Sequence, residues 1–383
     1  MSAGRLISTL AIVLAVITFS RSFGTVSASS SPTDGADFSR LILSVQRSPA
    51  RSAAQANNRN RGIQLYRERK FIEATKILRS VVKEDKTDHE AWYYLGLVLL
   101  PQPGKTKDAA KAFETAIKLQ PNFASAHTGL AYTALQRNKS TEAVRESRAA
   151  LHLDPTLAEP HYLIGVVHLR ASDPEEALSE AGEAIRLNPD FAPAYLLRSQ
   201  ALVGISSKRS LEARRIIGSP PPPSPAERAE RDQNRQANAS QMKEAAASLR
   251  TYLKLDPNPS SAELWREQLE TLEYYGVYRR MGTAGVDTPA FGDEVTTKAR
   301  VLMKPEPSYT EAARQAQVVG TVVLRVVLSA DGTVRHILVL AGLPNGLTEN
   351  AVRAARMIKF TPATIDGKPV STFIQLEYSF NLY

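Results

Sequence analysis

Pro121, Pro155 and Pro189 stand 34 residues apart, and each closes a phrase of one pattern: AIKLQP, ALHLDP and AIRLNP. A fixed period of this length limits the chain to a stack of similar supersecondary units, because no single unit can bury its apolar face alone. Twelve residues before each proline stands an alanine: Ala109, Ala143 and Ala177. Farther upstream comes a pair with a small member: Leu95-Gly96, Leu130-Ala131 and Ile164-Gly165. Small residues at these places let two helices approach closely.

The unit resembles the tetratricopeptide repeat, a helix-turn-helix of about 34 residues. Trp92, Leu95, Gly96, Ala109, Phe113, Ala116 and Pro121 make one repeat almost in full, with one extra residue in the turn PQPGKTKD. An earlier, weaker repeat fits Gly62, Ala74 and Leu78. After Pro189 the next matching phrase, YLKLDP, ends at Pro257, 68 residues or two periods on. The fifth unit is expected as a helix from Ala192 to Val203 followed by a short helix LEARRIIG. It stops in SPPPPSP, which cannot be helical. Ser224-Pro225-Ala226-Glu227 reads as a helix start, with Ser as cap, Pro first and Glu third. The segment it opens, ERAERDQNRQANAS, is polar on every face and is expected to pack weakly. A closing helix from Ala262 to Tyr275, capped by Ser260 or Ser261, carries Leu264, Trp265, Leu269 and Leu272. The array is thus placed at 50–275, with a proline-rich interruption at 219–225.

Repeat arrays of this kind bind partners on a concave face lined by the first helix of each unit. Counted from the pattern, the inward positions are Arg59, Tyr66, Glu90, Tyr93, Leu97, Thr128, Tyr132, Leu135, Tyr162 and Val166. Tyr66, Glu90, Tyr93, Leu97, Tyr132 and Tyr162 are the candidate partner-binding residues, for a periplasmic peptide or helix, since tyrosine offers area plus a hydroxyl at small entropic cost. The same spacing also fits tyrosines packed between neighbouring helices. The Lys/Asn pattern that clamps a terminal carboxylate is not visible at these positions.

His161 and His168 lie seven residues apart on one helix, but both fall on interior packing positions and no third ligand lies nearby in sequence, whereas zinc needs at least three. No metal site and no cofactor is expected. The sequence holds no GxSxG elbow, phosphate-cradling glycine loop or HExxH, so no catalytic residue is assigned and no enzyme is expected. The chain has 383 residues, 43% of them hydrophobic, which suits two or three globular units. The formal charge of +9 is spread without a dense basic block, so nucleic acid is not an expected partner. The count of cysteines is 0, which removes disulfides and thiol chemistry.

At the N-terminus, Arg5 precedes an apolar run from Leu6 to Phe19, and small residues end in Val26-Ser27-Ala28. Residues 1–28 read as a signal peptide cleaved after Ala28 or as a retained membrane anchor. A run of about fourteen helical residues reaches about 21 Å against a hydrocarbon core of about 30 Å, and Arg21 blocks extension. Residues 29–49 then form a linker. Either way the bulk of the protein lies outside the cytoplasm.

Residues 276–300, with Gly276, Gly282, Gly285, Pro289 and Gly292, read as a second linker between modules that would fold independently. A different grammar follows. Residues 308–316 suggest a short helix, Val318–Leu328 a strand rich in β-branched residues, Ala330-Asp331-Gly332 a tight turn, and Val334–Ala341 a second strand. Leu347–Ile358 is amphipathic and ends before Pro362. Val370, Thr372, Ile374, Leu376, Tyr378, Phe380 and Leu382 alternate with mostly polar residues in a last strand.

These residues resemble the C-terminal domain of TonB-type energy transducers. The resemblance runs through Pro307-Ser308-Tyr309, Gly320-Thr321-Val322, Asp331-Gly332-Thr333-Val334, Ala351–Ala355, Lys359-Phe360-Thr361-Pro362-Ala363 and Asp366-Gly367-Lys368-Pro369-Val370. Thr310 stands where that family often has proline, and Ile358 where an aromatic is common. The expected fold class is therefore an α-helical solenoid followed by a small α+β domain, 301–383, with a three-stranded antiparallel sheet and two helices.

The resemblance implies that the final strand accepts a short extended segment of an outer-membrane transporter at its edge. Ser371, Phe373, Gln375, Glu377 and Ser379 are the edge positions, although the pairing itself is made by main chain. A second copy of the domain, in a dimer, is the alternative occupant. In the best-known members of that family the anchor helix carries a histidine, whereas the first histidine here is His89. Two functions follow: an envelope protein contacting transporters by strand addition, in energy-coupled transport across the membrane, or a periplasmic scaffold for envelope assembly without transduction.

Overall fold

The computed structural model describes residues 49–214, 224–259, 261–277, 289–290 and 294–382. The N-terminal targeting segment, most of the 29–49 linker and the proline run up to Pro223 lie outside the described residues. By contacts the chain divides between Val167 and His168.

The first unit is a run of antiparallel helix pairs: α1 (Pro49–Arg67), α2 (Phe71–Glu84), α3 (His89–Leu99), α4 (Thr106–Leu119), α5 (Ala124–Gln136), α6 (Ser140–Leu153) and α7 (Ala158–Arg170), in which the division falls. Where the first helix of a pair ends, one residue takes a left-handed conformation: Arg69, Gly104, Asn138 and Ser172. Their separations of 35, 34 and 34 residues repeat the proline period, the longer one carrying the extra residue of PQPGKTKD. The next amide then reaches back to close the helix, as Lys70 N does to Leu65 O (2.9 Å) and Lys139 N to Ala134 O (2.9 Å).

Phe113, fully buried, shows why the small residues recur. A Cβ at Gly96 or at Gly129 would lie 2.6 Å from its ring, so the ring fills the space that two side chains would need. Leu78 does the same for Gly62, at 2.8 Å.

The second unit continues with α8 (Pro174–Leu187), α9 (Ala192–Arg214), α10 (Pro225–Leu255) and α11 (Ala262–Tyr275). The fifth unit differs from expectation: α9 is one helix of 23 residues rather than a helix, a break and a short helix. Gly204, inside this helix, faces Pro174: a Cβ added at the glycine would lie 2.9 Å from the Cβ of the proline. The polar segment and YLKLDP likewise form one helix of 31 residues, α10, opened by the expected capping box between Ser224 and Glu227. Its first half is mostly exposed, and its second half buries Met242, Ala245, Ala246, Leu249 and Tyr252.

The C-terminal part runs β1 (Arg300–Met303), α12 (Glu311–Gln315), β2 (Gly320–Leu328), β3 (Val334–Ala341), α13 (Leu347–Arg356), β4 (Lys359–Thr361), β5 (Ala363–Ile365), β6 (Lys368–Val370) and β7 (Thr372–Phe380). The main sheet is antiparallel in the order β3-β2-β7. Pairing of β2 with β7 is unbroken from Gly320↔Phe380 to Leu328↔Thr372. Val322, Leu324, Val326, Leu376, Tyr378 and Phe380 form its buried face and pack with Leu347, Ala351, Val352 and Ala355 of α13. Thr310, the departure from the family pattern, caps α12: its hydroxyl accepts from Ala313 N at 3.1 Å, which a proline could not do.

Helix, strand, strand, helix, strand is the order expected, with two short ribbons added, β1-β4 and β5-β6. The second ribbon turns at Asp366 and Gly367, both left-handed (φ 51° and 79°), as a two-residue hairpin requires. Strands of three or four residues are too short for alternation to mark them in sequence. The last strand also stops at Phe380, leaving Leu382 exposed.

The described part of the 276–300 linker is not free. Ala290 is buried and donates to Ser371 O (2.7 Å), and Thr296 N donates to Thr364 O (2.8 Å). The closing helix and the sheet also share cores: Leu264 of α11 is buried with the sheet core, and Leu338 of β3 with Leu202, Met242, Leu249 and Leu272. Within the second unit the end of the repeats thus meets the sheet through interdigitated leucines.

Candidate functional site

The candidate residues of the repeats are mostly interior. Tyr66, Tyr93, Leu97 and Tyr132 are each exposed by less than a tenth, at 2%, 5%, 4% and 9%. Tyr93 lies against the rings of Phe123 (4.9 Å between centroids), Tyr94 (5.2 Å) and Phe113 (5.9 Å), and Tyr66 against those of Tyr94 and Phe71. Burial holds the phenols of Tyr66 and Tyr93 well above the ordinary tyrosine value. Thr128 and Leu135 are buried too, and Tyr162 and Val166 are half-buried against the same core. Glu90 remains reachable from solvent, in an ion pair with Arg59 (3.1 Å), which also bonds Asp88 (3.2 Å), the cap of α3.

The two edges of the terminal sheet are finished in different ways. On β3, Gln268 of α11 stands where a neighbouring strand would be. Its Nε2 donates to Ile337 O and its Oε1 accepts from Val339 N, both at 2.8 Å. One buried amide side chain thus supplies the donor and acceptor that a strand backbone would offer. Tyr275 donates to His336 O (3.2 Å), and the ring of Tyr274 stacks on that of His336 at 3.5 Å. Ser261 donates to Glu349 (2.7 Å), and Arg356 pairs with Glu267.

Along the outer side of β7, Ala290 forms a parallel bridge with Thr372 at the start of the strand, and a lysine reaches one carbonyl farther on. Ser371 O accepts from Ala290 N, and Glu377 O accepts from Lys304 Nζ at 2.6 Å. Both carbonyls belong to odd-numbered residues. In an antiparallel pair the donor and acceptor of one residue point the same way and alternate along the strand, so Phe373, Gln375 and Ser379 also turn their backbone groups away from β2. Gln375 Nε2 donates to Glu377 Oε1 (3.2 Å), the ring of Phe373 lies 5.5 Å from that of Tyr275, and Glu377 and Ser379 are exposed. The ammonium of Lys304 also sits 4.4 Å from the ring centroid of Tyr378. That phenol is pushed up to about 12, by burial first and by Glu306 second. Gln268, Ala290 and Lys304 carry no local sequence signal for these roles. A strand edge is closed by residues distant in the chain, which only the fold brings near.

A family model described as Gram-negative bacterial TonB protein C-terminal matches residues 305–382, and one described as tetratricopeptide repeat matches residues 102–158. The chain therefore carries tetratricopeptide repeats followed by a TonB-type C-terminal domain, two kinds of module that act by protein contact. Among solved structures it is similar to TTC0263, a thermophilic TPR protein of Thermus thermophilus, at 17% identity over 57% of this chain and 98% of that one, with a TM-score of 0.41. It is similar also to the MamA protein, at 18% identity over 54% and 97% with a TM-score of 0.38. MamA 41-end from Desulfovibrio magneticus RS-1 gives 20% over 43% and 97%, with a TM-score of 0.34. No curated protein matches. Among the described residues no helix is long and apolar enough to cross a membrane.

Proposed function

We propose that this chain is a cell-envelope protein that works by protein contact. Its terminal sheet takes an extended segment of an outer-membrane transporter as a further strand on the outer side of β7, and its repeats hold a second protein partner. The observation that carries the reading is the difference between the sheet edges. β3 is closed by Gln268, whereas on β7 the Glu377 carbonyl is met by a lysine side chain rather than by a strand, and Gln375 and Ser379 turn their backbone groups outward beside it. An outward backbone row beside a face held in register by burial is what strand addition needs. In this reading the chain faces the periplasm, and residues 1–28 decide between a transducer anchored in the inner membrane and a free scaffold.

Gln375→Pro tests it. The substitution removes one outward donor from an edge strand, where proline is tolerated. Titration calorimetry with a synthetic peptide covering the extended N-terminal segment of an outer-membrane transporter should show binding to the wild-type protein. The proline variant should lose it while its circular dichroism and melting stay near wild type. A folded variant that binds with unchanged affinity removes β7 as the site and leaves the scaffold function standing.

A further inference from the structure

Lys304 follows β1 and is exposed, yet its ammonium is spent on the docking edge rather than on a carboxylate. It donates to Glu377 O at 2.6 Å and lies over the Tyr378 ring at 4.4 Å. Among the described residues no Asp or Glu forms an ion pair with it. Glu306, two residues on, is exposed and acts on the Tyr378 phenol, but does not pair with Lys304 either.

An arriving strand must place its own N–H on Glu377 O, because that carbonyl lies in the outward row. Doing so displaces the ammonium, which keeps its aromatic seat and loses its acceptor. Side chains alternate between the two faces of a strand, so the Glu377 carboxylate projects from the face opposite Tyr378. On a strand that arrives antiparallel to β7, the residues flanking the one bonded to Glu377 O project on the Tyr378 face, beside the freed ammonium; on a parallel one, the residue bonded to Glu377 O does so itself. A carboxylate there replaces the lost carbonyl with an ion pair, whereas an amide or apolar group leaves the cation without compensation.

We propose that Lys304 is a specificity-determining residue of the β7 edge, and that it selects an extended segment carrying Asp or Glu on the face shared with Tyr378. This rests on the strand-addition reading and adds the chemistry of the partner to it. It also assigns a second task to the same side chain: in the empty state the ammonium shields the carbonyl that the partner will use.

The probe is a pair of synthetic peptides, Ser-Thr-Val-Glu-Val-Thr-Val-Ser and its counterpart with Gln for Glu, with the single acid then walked along the alternate positions. Binding is measured to wild type, to Lys304→Met, which keeps an apolar stem over the ring, and to Glu306→Gln. The Glu peptide should bind wild type roughly two- to fivefold more tightly than the Gln peptide in at least one register, the range of an exposed ion pair. That preference should shrink with added salt, fall to none in Lys304→Met, and grow in Glu306→Gln. Equal binding of Glu and Gln peptides to wild type in every register, or a preference that survives Lys304→Met, overturns the proposal while leaving strand addition intact. If the peptides bind Gln375→Pro as well as they bind wild type, strand addition itself fails and takes this proposal with it.

Discussion

The tyrosine row of the repeats and the outer row of β7 are both candidate partner surfaces, and they hold their binding groups in opposite states. Tyr66, Tyr93 and Tyr132 are buried among aromatic and aliphatic neighbours, so the area that would make them good anchors already stabilises the helices. On β7 the side chains matter less, and backbone groups of Phe373, Gln375 and Ser379 face away from their own sheet. A side-chain pattern shows which residues are apolar and regularly spaced, and burial uses such residues as readily as recognition does. A strand edge is defined by where the sheet stops, which a side-chain pattern does not encode.

The largest expected effect lies in the repeats. Tyr93→Ala removes a buried ring that touches three others and should cost about 3–5 kcal/mol, the range for truncating a buried aromatic. Denaturant unfolding followed by far-ultraviolet circular dichroism reads it. If the variant keeps its stability and loses a protein partner, the tyrosines serve the groove and the contrast between the two surfaces collapses.

The next effect concerns what leaves β7 as the open edge. Gln268→Leu keeps an apolar stem of similar size but strands Ile337 O and Val339 N, at about 1–3 kcal/mol for each buried group left unpaired. Hydrogen exchange at the Val339 amide should speed up, while amides of β7 bonded to β2, such as those of Leu376 and Tyr378, should change little. Unchanged protection at Val339 means that burial under α11, and not the glutamine, closes this edge.

Much of this architecture was legible in the residues, for identifiable reasons. The repeat period is written in Pro121, Pro155 and Pro189, and the same interval returns in the left-handed residues Arg69, Gly104, Asn138 and Ser172. The strands β2, β3 and β7 are eight or nine residues long, enough for alternation to stand out. What could not be read was tertiary. Leu264 and Leu338 look like ordinary core residues of their own elements, yet each is buried in the other's cluster. Gln268 reads as a polar position on an amphipathic helix, and its task exists only once β3 lies beside α11. Ala290 reads as a linker residue because one buried alanine makes no pattern.

The smallest effect sharpens the difference between β3 and β7 through the turn that leads into β3. The carboxylate of Asp331 accepts from the Thr333 hydroxyl (2.6 Å) and the Thr333 amide (3.0 Å), and pairs with Arg335. The hydroxyl bond first, then the amide bond, hold it below the ordinary aspartate value, with Arg335 adding to them. A carboxyl depressed in the folded state contributes stability above its unfolded pKa of about 3.9, and that contribution fades as pH falls through the lower folded value. Acid should therefore loosen the β2–β3 turn only below about pH 4, and slightly, because the group is exposed to water. The Thr333 amide resonance should titrate with a midpoint below about 3.9, and Asp331→Asn should abolish that titration while leaving the β7 amides where they were. A midpoint at or above the ordinary value would mean that the turn holds Asp331 no better than the unfolded chain does, and β3 would then owe its position to Gln268 and Leu338 alone.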